Sequence, residues 1–157
     1  MNTPSALREH IAALLDSGDA HQNFDSAIAD VPAAARGERP SGAPHSPWEL
    51  LEHMRIAQTD ILEYSRGDAT HVSPDFPSGY WPPSPQPPNE TAWDESVAKF
   101  HASRAALVAM VNDESFDLLA KIPRGSATWL AQILLVADHN TYHLGQLVLA
   151  RRMLTGK

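Results

Sequence analysis

The sequence has no cysteine among its 157 residues. This absence excludes disulfide bonds, thiolate metal ligands and a cysteine nucleophile. Any metal site in the chain must therefore use nitrogen and oxygen donors, which histidine and the carboxylates supply. The chain contains 8 histidines and 19 acidic residues, so both kinds of donor are plentiful.

Long hydrophobic runs and a basic excess are also missing. No stretch approaches the roughly 18 consecutive apolar residues of a membrane span, and Met1–Pro4 lacks the charged and apolar regions that begin a secretory signal. The formal net charge of -7 has the wrong sign for binding a phosphate backbone. We therefore expect a cytoplasmic protein that binds neither membranes nor nucleic acids.

The chain does contain enough apolar material for one substantial core, because 43% of its residues are hydrophobic and its length is near the usual size of a domain. We expect a single domain over residues 1–157. Four long segments show helical periodicity, and none shows convincing strand alternation. The pattern predicts an all-α fold, an antiparallel four-helix bundle.

The first helical segment is interrupted. Its apolar residues recur at helical spacing, but Gly18 and Asp19 weaken the pattern, which resumes at Ala20 and stops at Pro32. We expect a broken N-terminal helix, either one helix with a break or two short ones. A loop rich in proline, glycine and small residues should follow, over residues 32–45.

The second helix has a specific start signal. Ser46 can cap it, Pro47 suits its first turn, and Glu49 occupies the reciprocal position of a capping box. The apolar stripe continues to about Tyr64, and Gly67 supplies a stop. This helix should therefore begin at the Ser46 cap and carry His53 about two turns from its start.

A long proline-rich segment, residues 73–88, separates the second helix from the third. Its density of proline is too high for a helix or a central strand. Phe76, Tyr80 and Trp81 need burial, which favours an ordered loop over the domain rather than a free tether or a polyproline recognition segment.

Two further helices complete the predicted bundle. The third has Asn89 or Thr91 as its cap and ends near Asn112. The last follows from Ser126 to about residue 154, and because it is apolar on most faces we expect it at the centre of the fold.

The last helix carries two histidines, His139 and His143, at a spacing of four residues that points both rings from one face. Imidazole is a common metal ligand, so the pair predicts half of a coordination sphere. His53 is the best candidate for a third ligand because it lies within a helix among apolar residues, and His101 is its main rival. Solvated or structural roles are favoured for the histidines outside the proposed set, namely His10, His21, His45, His71 and His101.

Two neighbours of these histidines are candidates for supporting roles. Glu49 precedes His53 by one helical turn and could face a metal, although its capping role competes with that. Gln146 follows His143 by three residues on the same stripe, where it could hydrogen-bond a ligand, a metal-bound water or a substrate.

Two sequence segments resemble the DinB-like/YfiT-like metalloenzyme superfamily: Trp48–Met54 (WELLEHM) and Asp138–Leu147 (DHNTYHLGQL). The helix order agrees across nearly the whole chain. The resemblance implies that His53, His139 and His143 bind a divalent metal, zinc or nickel above all. It also implies a homodimer and, as partner, a small-molecule substrate such as a low-molecular-weight thiol. Members of the superfamily include S-transferases and isomerases that use mycothiol, bacillithiol or glutathione.

Three neutral imidazoles would leave a divalent ion most of its charge and at least one open position. A thiol bound there would become a thiolate, and a bound water would become hydroxide. The residue after His139 is Asn140, so the glutamate of the zinc-protease H-E-x-x-H motif is absent and protease activity is disfavoured.

Our leading hypothesis is a divalent-metal-dependent enzyme, a small-thiol-dependent S-transferase or isomerase. The alternatives are a metal-dependent hydrolase of a small electrophile and a non-catalytic helical module, which would bind a small molecule or a partner and use the metal structurally.

Overall fold

Five α-helices account for most of the regular structure in residues 4–16 and 20–156, the part of the chain that the computed structural model describes. They are α1 (Ser5–Asp16), α2 (Phe24–Ala29), α3 (Pro47–Arg66), α4 (Ala92–Asn112) and α5 (Trp129–Thr155). Two short 3₁₀ turns occur at Ala33–Ala35 and Ser78–Tyr80. These described residues contain no strand, and the predicted all-α helical bundle is confirmed.

The four longer helices form the bundle. Helix α3 packs against both α4 and α5, and α1 lies against the same two helices. The short helix α2 packs on α5. This arrangement gives α3 and α5 a long shared contact, along which the histidines lie.

The N-terminal region forms two short helices rather than one continuous helix. Helix α2 begins at Phe24, later than the predicted restart at Ala20, because the Asn23 side chain accepts a hydrogen bond from the Ser26 backbone and caps it there. The expected break at Gly18 and Asp19 lies outside the described residues.

The start of α3 follows the sequence signal closely. The Ser46 hydroxyl accepts a hydrogen bond from the Glu49 amide, and a Glu49 carboxylate oxygen accepts one from the Ser46 amide, which completes the capping box. The helix runs slightly beyond Tyr64, to Arg66, and ends at Gly67 in the left-handed conformation.

The starts of α4 and α5 show which of the predicted capping residues bond the helix. The Asn89 side chain accepts a hydrogen bond from the Ala92 amide, so of the two predicted caps it is the one whose side chain bonds a backbone amide of the first turn of α4. Helix α5 begins at Trp129 with Thr128 as its cap, and not at Ser126 as predicted. The chain before it is held in a turn, since the Ile122 amide bonds to the Ala127 carbonyl.

The prediction that α5 lies at the centre of the fold is wrong for one of its faces. One side packs into the core, but Leu135, Tyr142 and Leu149 are exposed on the other. The apolar character of this helix therefore exceeds what the bundle buries.

Two apolar clusters form the core, one toward each end of the bundle. The first includes Leu51, Met54 and Leu147, and the second includes Leu62, Ile133 and Val136. Along α5, His139 and His143 lie between the residues of the two clusters. The imidazoles are thus positioned by well-packed segments on either side, which restricts their movement.

The proline-rich segment is an ordered loop on the domain surface, as its aromatic residues indicated. The Ser46 hydroxyl donates a hydrogen bond to the Pro85 carbonyl, which fastens the segment to the start of α3. Trp81 packs against the first core cluster. Phe76, which was expected to need burial, is instead 89% exposed.

No helix within the described ranges is both long enough and apolar enough to span a lipid bilayer.

Replacing Gly67 by alanine should destabilise the protein by about 1–2 kcal/mol, because an alanine would be strained in the left-handed conformation. The glycine has a φ of 74°, and an added Cβ would lie 2.5 Å from the Pro123 side chain. The matched control is Gly145→Ala within α5, where an added Cβ meets nothing within 4 Å. The control should raise stability by up to about 1 kcal/mol. Chemical denaturation of both variants measures the difference, and equal effects of the two substitutions would contradict the prediction.

Candidate metal centre

Three imidazoles converge at the contact between α3 and α5. His53 Nε2 lies 3.1 Å from His143 Nε2 and 3.0 Å from His139 Nε2. His53 and His143 are buried, and His139 is partly buried. The three rings form a group with the composition and the spacing to hold one metal ion.

The helices account for this convergence. His139 and His143 are one helical turn apart on α5 and face α3, where His53 lies opposite them. The rival third ligand, His101, lies elsewhere, because it pairs with Asp25 at 3.0 Å. The structure therefore brings together the three histidines that the sequence singled out and leaves His101 apart.

Hydrogen bonds to the outer nitrogens determine which ring atoms face inward. His53 Nδ1 lies 2.8 Å from the Tyr80 carbonyl, which can only accept, so this nitrogen carries the proton. His143 Nδ1 likewise donates to the Gln146 side-chain oxygen at 2.8 Å. In the neutral rings, the Nε2 lone pairs of His53 and His143 therefore point at each other.

These two lone pairs repel each other unless a positive group lies between the nitrogens. Protonation is disfavoured, since burial lowers the pKa of all three imidazoles and brings that of His143 to about 4. A metal ion bonded at about 2.0–2.1 Å to each nitrogen would place the nitrogens roughly 3.0–3.4 Å apart. This is close to the observed spacing of His53 Nε2 from the other two. The donor set therefore fits a divalent metal.

The proline-rich segment covers one side of this centre. The Trp81 indole stacks on the His53 ring with a centroid distance of 3.8 Å and an interplanar angle of 2°. The His45 ring stacks on the other face of the indole, at 3.9 Å. His45, expected to be solvated or structural, is part of the cover over His53.

Gln146 and Glu49 differ in their position relative to the centre. Gln146 contacts His143 directly, where a hydrogen bond to a ligand was expected. The carboxylate of Glu49 is bound to Arg39 at 2.5 and 2.8 Å and to the Ser46 amide. Its capping role therefore takes the side chain away from the imidazoles.

Three residues near the centre have roles that the sequence analysis missed: Asp60, Tyr80 and Trp81. The Tyr80 hydroxyl donates to Asp60 at 2.6 Å, and His71 bonds the other oxygen of this carboxylate at 2.8 Å. Tyr80 thus joins α3 at two points, through its phenol to Asp60 and through its carbonyl to His53. One signal was available, because Asp60 lies two helical turns after His53 on the same face of α3.

The hydrogen bonds of Asp60 determine its ionisation and that of Tyr80. Burial would raise the pKa of Asp60, but hydrogen bonds from Tyr80, His71 and Ser73 outweigh it and hold the pKa below its usual value. Burial and the bond to Asp60 raise the pKa of Tyr80 to about 12. The pair therefore consists of a carboxylate and a protonated phenol.

A pocket of about 260 Å³ adjoins two of the three histidines, His53 and His139. The remaining residues of its lining are Ala57, Asp60, Ile61, Phe76, Pro77, Tyr80, Trp81 and Leu135. A small molecule in this pocket would lie beside the metal centre.

Fold and site together define a helical-bundle protein whose buried histidines are arranged to bind a metal ion. No curated protein and no solved structure matched the chain. The profile of the DinB superfamily matches residues 18–147, a range that includes all three histidines. The chain belongs to the DinB superfamily.

Replacing His139 or His143 by alanine should lower the affinity for a divalent ion by at least about 100-fold, because each substitution removes one of three donors. His101→Ala is the matched control, since that histidine lies on α4 away from the centre. Elemental analysis and competition with a chelator measure metal content and affinity. Unchanged metal binding in both site variants would refute the assignment of these histidines as ligands.

Gln146→Leu should weaken metal binding by about 10-fold or more, because His143 Nδ1 would lose the acceptor that fixes its tautomer. Gln132→Leu makes the same change earlier on α5, where no bond to a histidine is at stake. The comparison uses the same chelator competition. Equal affinities for the two variants would show that Gln146 does not support the centre.

Proposed function

We propose that this protein is a divalent-metal-dependent enzyme that joins a small thiol to an electrophilic substrate, or isomerises such a substrate with the thiol. The observation that carries the proposal is the convergence of three histidine Nε2 atoms beside a pocket, those of His53 and His143 being unprotonated. Neutral nitrogen donors suit zinc or nickel. When bound, the ion would favour the thiolate form of a thiol.

The carboxylates near the centre favour a thiol over water as the nucleophile. Both oxygens of Glu49 are bound to Arg39, and those of Asp60 to His71 and Tyr80. Within residues 4–16 and 20–156, no hydrogen bond joins a carboxylate to the three imidazoles. Both nucleophiles would have to lose a proton, but a thiol is the stronger acid and would reach its anion without help from a base. Water depends more on a base, which this arrangement does not offer.

The chain's own residues would prepare the reactants. Tyr80 holds His53 and Gln146 holds His143 in one tautomer, and Trp81 shields the face of His53 from solvent. In the transfer, the thiolate sulfur forms a bond to the electrophilic carbon, and the leaving group departs with its bonding electron pair. The thiol proton passes to solvent.

The test is a thiol-dependent reaction of the metal-loaded protein. Zinc- and nickel-loaded samples are mixed with mycothiol, bacillithiol or glutathione and a panel of small electrophiles, and the S-conjugates and isomerised products are measured by mass spectrometry. We expect turnover that requires a thiol and that falls at least about 100-fold in His139→Ala, because a metal ligand is lost. His101→Ala should retain the wild-type rate.

The other outcomes distinguish the competing functions. Product formation that is independent of thiol, with water incorporated, would instead favour a hydrolase. Tight metal binding without turnover, together with lower thermal stability after metal removal, would favour a non-catalytic module in which the ion is structural.

A further inference from the structure

The pocket beside His53 and His139 has a composition that restricts what it can hold. Most of its lining is apolar and comes from three parts of the chain: Ala57 and Ile61 on α3, Leu135 on α5, and Phe76, Pro77 and Trp81 in the proline-rich segment. An apolar group fits such walls better than a polar one, because polar atoms would lose hydrogen bonds to water on entering.

Two of the apolar walls are exposed to water in the structure. Phe76 is 89% exposed and Leu135 is 49% exposed, yet both line the pocket. A ligand with an apolar or aromatic group would cover part of both side chains and remove apolar surface from water. Phe76 contributes little to the core, so its side chain would contribute more to binding a ligand than to stabilising the fold.

Charge restricts the ligand further. Asp60 is ionised near neutral pH, and the lining contains no lysine or arginine. The arginines on α3 are already paired, Arg55 with Glu52 and Arg66 with Glu63. An anionic ligand in the pocket would therefore meet a carboxylate without a compensating cation on the protein.

We propose that this pocket is the specificity site for an uncharged apolar or aromatic group of the substrate, and that Asp60 excludes anionic groups from it. The inference rests on the proposed function, which places the reacting atoms beside the same histidines. It predicts that substrates carrying a carboxylate on the group that enters the pocket are poor ones.

Two probe thiols of nearly the same size test the charge selection, namely 4-(mercaptomethyl)benzamide and 4-(mercaptomethyl)benzoate. Each is titrated into zinc-loaded and into metal-free protein. Binding is followed by the NMR cross-peak of the Trp81 indole N–H, which is assigned with a Trp81→Phe variant. We expect the uncharged amide to bind about 10-fold more tightly than the benzoate to metal-free protein, where the charge difference acts through Asp60. The ratio should be smaller in the zinc-loaded form, because the ion attracts the benzoate.

Asp60→Asn should reduce this ratio to about 3-fold or less, because the repelling charge is removed. Asp75→Asn is the matched control, since Asp75 is an exposed residue of the same proline-rich segment outside the pocket lining. Loss of the Tyr80 anchor in Asp60→Asn would weaken both probes together. The ratio of the two affinities therefore isolates the effect of charge.

Phe76→Ala should weaken the amide by about 3-fold or more through the loss of apolar contact. Val72→Ala is the control, because Val72 is similarly exposed at 85% but does not line the pocket. Equal binding of amide and benzoate to metal-free wild-type protein, or no change of their ratio in metal-free Asp60→Asn, would overturn the inference.

The two proposals can fail separately. If zinc fails to bind while metal-free protein still prefers the amide, the proposed function fails and the pocket assignment stands. If zinc binds through the histidines and the probes show no preference in metal-free protein, the pocket assignment fails and the metal-dependent function stands.

Discussion

The site depends on the repulsion between nitrogen lone pairs that the bundle forces together. Burial removes water from the imidazoles of His53 and His143, and their outer nitrogens are committed to Tyr80 and Gln146. The inner nitrogens are therefore left without a proton and without solvent. Packing on both sides of the site prevents the rings from moving apart, since the two core clusters lie above and below them along α5. A bound cation would turn this repulsion into the strongest local attraction.

The proline-rich segment belongs to the site as much as the helices do. Its 3₁₀ turn places the Tyr80 carbonyl on His53, and the phenol of the same residue reaches Asp60 two turns further along α3. Trp81 then lies flat on the His53 ring. Fixed φ angles limit the conformations available to a segment so rich in proline, so ordering it over the helices costs less entropy than ordering an average loop. One segment thus orients a candidate ligand, covers it and forms a wall of the adjoining pocket.

Much of the fold and of the histidine group could be predicted because their signals are local. The capping box of Ser46 and Glu49 involves residues three apart, and the facing of His139 and His143 follows from the helical repeat alone. The rest depends on contacts distant in sequence. The Tyr80 contact with His53 uses a backbone carbonyl, which no residue type reveals, and Glu49 is held by Arg39 in the preceding loop. The start of α5 is set by backbone hydrogen bonds across the turn before it. The exposed apolar residues of α5 recur with the same helical period as its buried ones, so the sequence pattern does not separate the two faces.

The charges around the site explain why a neutral donor set matters. Three acidic side chains close to it have partners: Glu49 has Arg39, Glu52 has Arg55, and Asp60 has Tyr80 and His71. An unpaired carboxylate beside the imidazoles would stabilise a bound cation but would also offset its charge. With three neutral nitrogens and paired carboxylates, a divalent ion would keep most of its charge for the molecule that enters from the pocket. The same pairing leaves Asp60 ionised at the pocket wall, so under the proposed function the electrostatics that would favour a thiolate would also select which substrates approach it.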